Sequence, residues 1–393
     1  MRRAFAILLM LGVWAAMGCG GNYKLPTETH AARVIPTDKS YQMLATWKNL
    51  NGIRDILLIP PPGVEMFFLF NYGGTGSPSV PRGEVRRYPL TQPNPIGAPA
   101  FQPPRTLFNP VALTSAVNLI FVLDEGDSCQ AKFDPSRGTC EADTLRHGQQ
   151  SIIFDYTATW RVREYPLTGG DTLSTFTDTT FAYVNGIAAD IFGNVYVSGI
   201  AVILDTLTTD QRIRTRKFIS RIYRYARGPR YPGVVPDDIN MPGASWHRDT
   251  TWLAHDGTGS SSVIDPRGID WSPLYGGSLF IADRGNNKAK LIGTGMPNYG
   301  ITSMDGSETP TGTSFSGPQG VAVDNGGSLF VVDRFNQRVL RYDASGQYLQ
   351  VVNVERNSDD LPLLDPIAIG VLDSLAYVAD AGRGQVIRYQ RRP

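Results

Sequence analysis

One short frame of residues recurs along this 393-residue chain, and that recurrence constrains the fold more than any other feature. In its fullest copy, Pro318-Gln319-Gly320-Val321-Ala322-Val323 leads to Leu329-Phe330-Val331-Val332-Asp333 and then to Arg338-Val339-Leu340-Arg341-Tyr342, three strand-like runs separated by two turns. The frame returns at Pro266-Arg267-Gly268-Ile269-Asp270 and at Pro366-Ile367-Ala368-Ile369, each followed by an apolar run ending in Asp283 or Asp380. Weaker copies start at Asn185-Gly186-Ile187, Pro110-Val111-Ala112 and Asn51-Gly52-Ile53. Aligning Gly52, Ala112, Gly186, Gly268, Gly320 and Ala368 gives six units at intervals of 60, 74, 82, 52 and 48 residues. The last two intervals approach a bare four-stranded sheet, and the longer ones carry insertions, which in a repeat protein map to loops on its faces. The second run of each unit is continuously apolar, as expected of a strand buried on both sides. The third alternates, which predicts partial exposure.

The segment 318–342 closely resembles an NHL repeat, and six such units predict an all-β fold, a six-bladed β-propeller of radially stacked sheets. Composition agrees: 41 Gly and 28 Pro spread along the chain favour short strands and turns over helices. The last unit ends at Pro393 before a fourth strand, while Tyr41-Gln42-Met43-Leu44-Ala45-Thr46-Trp47 has no unit of its own. That segment is expected to pair with the last blade and close the ring, since an open edge invites aggregation. The expected organisation is a signal over 1–18, a tether over 19–40 and the ring over 41–393.

Met1-Arg2-Arg3 followed by the uncharged apolar stretch 4–17 reads as an export signal, too short to span a bilayer as a permanent helix. Ala16-Met17-Gly18-Cys19 resembles the lipobox of bacterial lipoproteins, which implies acylation of Cys19, a lipid-anchored protein of the cell envelope and, with Gly20 next, an outer-membrane destination. Ordinary cleavage to a secreted or periplasmic protein is the alternative. Without residues 1–18 the 37 Lys and Arg fall to 35 against 36 acids, so the net charge moves from +1 to −1. No electrostatic footprint for nucleic acid is left, and none is expected as a partner. Cys129 and Cys140 then form an even pair in an oxidising compartment, expected as a disulfide, with two free thiols as the alternative.

In NHL-type propellers ligands usually meet the face where the inner strands begin. That resemblance places Asn51, Val111, Asn185, Arg267, Gln319 and Ile367 at the channel mouth, with Asn51, Asn185, Arg267 and Gln319 as candidate ligand-binding residues. Their amides and guanidinium suit a peptide carboxylate or a sugar. The same side chains would also serve merely to fill the mouth or bind water. The amidoglycolate lyases of similar fold hold zinc with three channel histidines, whereas His30, His147, His247 and His255 all lie off the six mouth positions. Calcium-dependent lactonase-like propellers need acids there, and the aligned set contains none. No phosphate loop or nucleophile elbow is present in the right context, so no cofactor, metal site or catalytic residue is expected. Asp283, Asp333 and Asp380 read as turn residues that accept backbone hydrogen bonds. The leading expectation is a non-catalytic envelope propeller that binds a protein, peptide or glycan through its channel face and the insertions at 128–150, 200–217 and 228–262. The alternative is an envelope lyase or lactonase-like hydrolase.

Overall fold

The computed structural model describes residues 40–392 apart from 60–64, 73–82, 91–97, 100–106, 108, 125–132, 135–138, 141–143, 148–149, 154–159, 170–172, 179, 205–215, 228–245, 296–298 and 354–361. The expected signal, Cys19 and all of the expected tether but Ser40 lie outside these residues, as does Cys129. Cys140 is placed only as backbone, in the short strand Thr139–Cys140. Tyr41–Arg392 make one compact unit.

Within it, six sheets of four or five strands follow one another in chain order, antiparallel throughout except that Ser262–Val263 pairs parallel with Trp246–Asp256 at the edge of the third. Their inner strands are Ile53–Ile59, Pro110–Ala116, Phe181–Ala189, Pro266–Ser272, Pro318–Val323 and Pro366–Leu372, which define blades 1 to 6. The closing strand behaves as the sequence predicts. Tyr41–Trp47 pairs antiparallel with Gln385–Arg391, in register from Tyr41 opposite Arg391 to Trp47 opposite Val386, with a bulge between Met43 and Ala45. Blade 6 is therefore built from both ends of the ring.

The core explains why the sheets stack in a ring. Six clusters of buried apolar side chains each bridge two neighbouring blades, and they complete the circuit from blade 1 back to blade 6. In the second strand of blade 5, Leu329 and Val331 pack towards blade 4 while Phe330 and Val332 pack towards blade 6. Successive side chains point to opposite faces, so a strand with apolar neighbours on both sides is apolar throughout.

The third strand departs from expectation. Of Arg338–Tyr342 only Arg338 is even partly exposed. Arg341 is buried because its guanidinium lies 5.7 Å from the Phe330 ring centroid and donates to Ser328 Oγ at 2.7 Å. An arginine stem can line an apolar interface while its head finds polar partners, and alternation alone does not reveal that.

Two insertions also contract. Trp246–Asp256, which carries His247 and His255, is the outer strand of blade 3. Val195–Leu204 and Arg216–Arg227 pair continuously as far as Leu204 opposite Arg216, so much of 200–217 lengthens a hairpin. Among the described residues no helix is long and apolar enough to cross a membrane.

Candidate functional site at the channel mouth

Each inner strand opens with a register shift. The shifts fall between Ile53 and Asp55, Pro110 and Ala112, Val184 and Gly186, Pro266 and Ile269, Pro318 and Val321, and Pro366 and Ala368. A bulge lifts a residue out of the ladder and re-aims its side chain. Here the lifted residues are Arg54, Val111, Asn185, Arg267, Gln319 and Ile367, and all six line one cavity of about 440 Å³. The channel itself, of about 860 Å³, is lined by the inner strands of all six blades.

Five of the six aligned positions thus meet at the mouth, and one does not. Asn51 is exposed in the turn before blade 1, where its carboxamide abuts Gly384 of blade 6. Gly52-Ile53 imitates the Gly-Ile of blades 3 and 4, but Gly52 is a turn residue at φ +83 and the bulge falls later, at Arg54. The small position of blade 1 is consequently held by Asp55. Elsewhere that position is small for a steric reason: a Cβ on Gly268 would stand 2.7 Å from the Gln319 carbonyl, and one on Gly320 would stand 2.8 Å from that of Ile367. Asp55 fits because its carboxylate takes the place of such a contact, accepting the N–H of Leu113 at 2.9 Å and of Ile56 at 2.8 Å.

Asn185 and Arg267 act together across blades 3 and 4. Asn185 Nδ2 donates to the Pro266 carbonyl at 2.9 Å, and its Oδ1 accepts from Arg267 at 3.0 Å. Asp265 pairs with the other end of the Arg267 guanidinium at 3.0 Å, while Arg267 Nε has no partner among the described residues. Gln319 Oε1 is buried and likewise unpaired. Arg334, also on this rim, is held bidentately by Asp365 at 2.5 and 2.9 Å. Arg54 is exposed, with no hydrogen bond or ion pair among the described residues. Among the described residues the rim therefore combines one unpaired guanidinium, a second with a spare N–H, and amides of both polarities.

Four carboxylates outside the aligned mouth positions line the channel, Asp55, Asp190, Asp270 and Asp324, and two of them, Asp55 and Asp270, are shifted far from the ordinary carboxyl range. Asp270 accepts the N–H of Val323 and of Trp271, each at 2.8 Å. Burial pushes each of these two carboxyls up to about 7, against the pull of its two backbone donors, and Asp270 adds repulsion at Asp55. A carboxyl so shifted exchanges protons near neutrality. Among the described residues no three His, Cys, Asp or Glu side chains cluster closely enough to hold a metal ion.

No curated protein matches the sequence. Among solved structures, a structural genomics protein of unknown function from Bacteroides thetaiotaomicron VPI-5482 aligns over 90% of this chain and 76% of its own at 11% identity and a TM-score of 0.47. A streptogramin B lyase aligns over 90% of this chain and 98% of its own at 11% identity and a TM-score of 0.44. The NHL repeat family model matches residues 315–342, the first three strands of blade 5 with their approach. With that match and its own sheet order, the chain is a six-bladed β-propeller carrying an NHL repeat in its fifth blade.

Proposed function

We propose that this protein is a non-catalytic, lipid-anchored propeller of the bacterial envelope that binds a carboxylate-bearing peptide or glycan at its channel mouth. The observation that carries the reading is the exposed Arg54 guanidinium, unpaired among the described residues, on the rim of the cavity shared by Asn185, Arg267 and Gln319. A guanidinium fork matches a carboxylate in geometry as well as charge, and Gln319 Oε1 would accept an N–H or hydroxyl beside it. Wild-type protein is to be titrated with short peptides bearing a free C-terminal carboxylate, with their C-terminal amides, and with oligogalacturonate. The expected outcome is binding of either acid class, little binding of the amides, and a loss of about tenfold for Arg54→Ala or Arg267→Ala, as for one charge-assisted contact. Equal binding of acids and amides would refute the mouth as a carboxylate site.

Asp55 and Asp270 favour a second reading, an envelope lyase or hydrolase, because a channel carboxyl near neutrality suits general acid–base chemistry. One tightly held Zn²⁺ or Ca²⁺ per purified chain, with turnover abolished by Asp270→Asn, would support that reading over the first.

A further inference from the structure

The two ends of the ring differ. Exposed apolar side chains at the mouth end, Tyr72, Tyr183, Phe218, Phe335 and Leu364, are spread around the ring beside the polar rim, whereas at the opposite end, where inner strands turn into second strands, they gather on three adjacent blades. Phe192 is 79% exposed, Val117 and Ile191 are 62% exposed, and Tyr275 stands beside them on the next blade. Leu173 and Tyr299, from the connections between third and outer strands, extend the same sector. The corresponding turns of blades 5 and 6 instead carry Asn325-Gly326 and Asp373.

Local folding does not account for these choices. Val117 and Tyr275 hold φ of +51 and +55, a conformation that suits Gly, Asn or Asp and penalises a β-branched residue. In blade 6 the equivalent turn places Asp373 at φ +54, as expected. Phe192 is held out on a stiff turn: the Asp190 carboxylate accepts the N–H of Phe192 and of Asn194, each at 2.9 Å. Apolar groups presented at a local energetic cost, on fixed turns and within one sector, form a surface that gains free energy only when something covers it.

The ring's own connectivity indicates the cover. Tyr41, opposite Arg391, begins the closing strand at this same end, and Arg391 and Arg392 stand there too. In sequence, 21 residues separate Cys19 from Tyr41. At full extension they reach roughly 70 Å, so an acyl anchor at Cys19 would confine the ring near a membrane without pressing it on. We infer that the end bearing Val117, Ile191, Phe192 and Tyr275 docks on the bilayer surface, with the apolar sector in the headgroup region, Arg391 and Arg392 beside anionic lipid, and the channel mouth facing away. This rests on the lipid-anchored reading above. Side chains on such a face sink ~5–10 Å into the interface.

The test uses the full, lipidated chain reconstituted in vesicles of phosphatidylethanolamine and phosphatidylglycerol with brominated acyl chains. Phe192→Trp places a fluorophore on the inferred face, and Phe335→Trp places one at the mouth end. The inference expects strong quenching of the added emission at 192 and little at 335. Equal quenching, or quenching at 335 alone, in protein that stays on the vesicles would overturn the docking and leave the anchor intact. Protein that washes off with salt would refute both. A Cys19→Ser chain that stays bound and keeps the asymmetry would refute the anchor and leave the docking face standing.

Discussion

Asp124, Asp283, Asp333 and Asp380 perform one task in four blades. Each is fully buried at the end of a second strand and accepts an N–H from the segment entering the inner strand: Asn109, Ile264, Ser316 and Asp365, at 2.9, 2.7, 2.7 and 2.8 Å. Three of these carboxylates recur visibly in sequence, and the turn-residue expectation captures their chemistry but not their burial. Asn286 and Asn336 donate to Asp283 and Asp333 at 2.7 and 2.8 Å, and Lys290 and Arg338 neutralise the same two acids at 2.7 and 2.6 Å. Because removing one partner strands the other groups in the interior, Asp333→Ala should lower stability by about 3 kcal/mol. Urea unfolding measures this, and a change below about 0.5 kcal/mol would contradict the assignment.

The channel acids behave in the opposite sense. Asp55 and Asp270 bind their protons more tightly in the ring than in the unfolded chain, so their stabilising contribution is complete below about pH 4 and is lost as pH rises through about 7. Asp270→Asn removes one titration and should flatten the fall in urea midpoint between about pH 4 and 7. An unchanged slope would show that Asp270 does not titrate there. Neither acid is legible as a channel group from the repeat: Asp55 sits where the other blades keep Gly or Ala, and Asp270 where others keep Leu, Thr, Ala or Gly.

At the scale of the element, the inner strand is where structure and site meet. Its bulge lifts one side chain into the mouth, and the small residue after it lets neighbouring inner strands approach. A Cβ at Gly320 would meet the Ile367 carbonyl at 2.8 Å and the Ala368 Cα at 3.0 Å, both backbone atoms that cannot swing aside. Gly320→Val is therefore expected to cost about 1–3 kcal/mol and to disturb the mouth between blades 5 and 6. An unchanged melting midpoint would contradict this packing. The repeat frame locates the bulge wherever Gly or Ala marks it, and it slips in blade 1 because Gly52 answers to turn geometry instead.

The closing strand was legible because an unpaired final edge needs a partner. Its anchors needed structure to find: Trp47 packs on Tyr377 at 5.5 Å and Tyr41 on Phe330 at 6.2 Å. Trp47 is 2% exposed and joins the cluster between blades 6 and 1. Trp47→Ala should destabilise the ring by about 3–5 kcal/mol. Loss of the seam should also expose the Gln385–Arg391 edge and promote aggregation on heating. Light scattering during a thermal ramp reads both effects together, and reversible unfolding of the variant at the wild-type midpoint would show that the seam does not hold the ring.

At the scale of the molecule, a repeat fixes the ring and its breaks confer the function. Blades 4 and 5 have the shortest repeats, whereas the connections that leave Asp124 and Leu204, towards Arg161 and Arg216, begin and end at the mouth end. Blade number, order and closure follow from apolar periodicity, which the sequence displays directly. The bulge register in blade 1, the placement of Asp55 and Asp270 in the channel and the apolar sector at the far end depend on which faces the ring brings together, and no local run of residues shows that.

The central claim is that binding occurs where the six bulges converge. A photo-crosslinking residue introduced at Gln319, at the mouth, is to be compared in intact cells with one at Leu349, exposed on the outer strand of blade 5. The account predicts a discrete adduct from position 319 that free citrate competes away and that Arg54→Ala abolishes, with none from 349. Adducts from 349 alone, or a 319 adduct indifferent to Arg54→Ala, would contradict it.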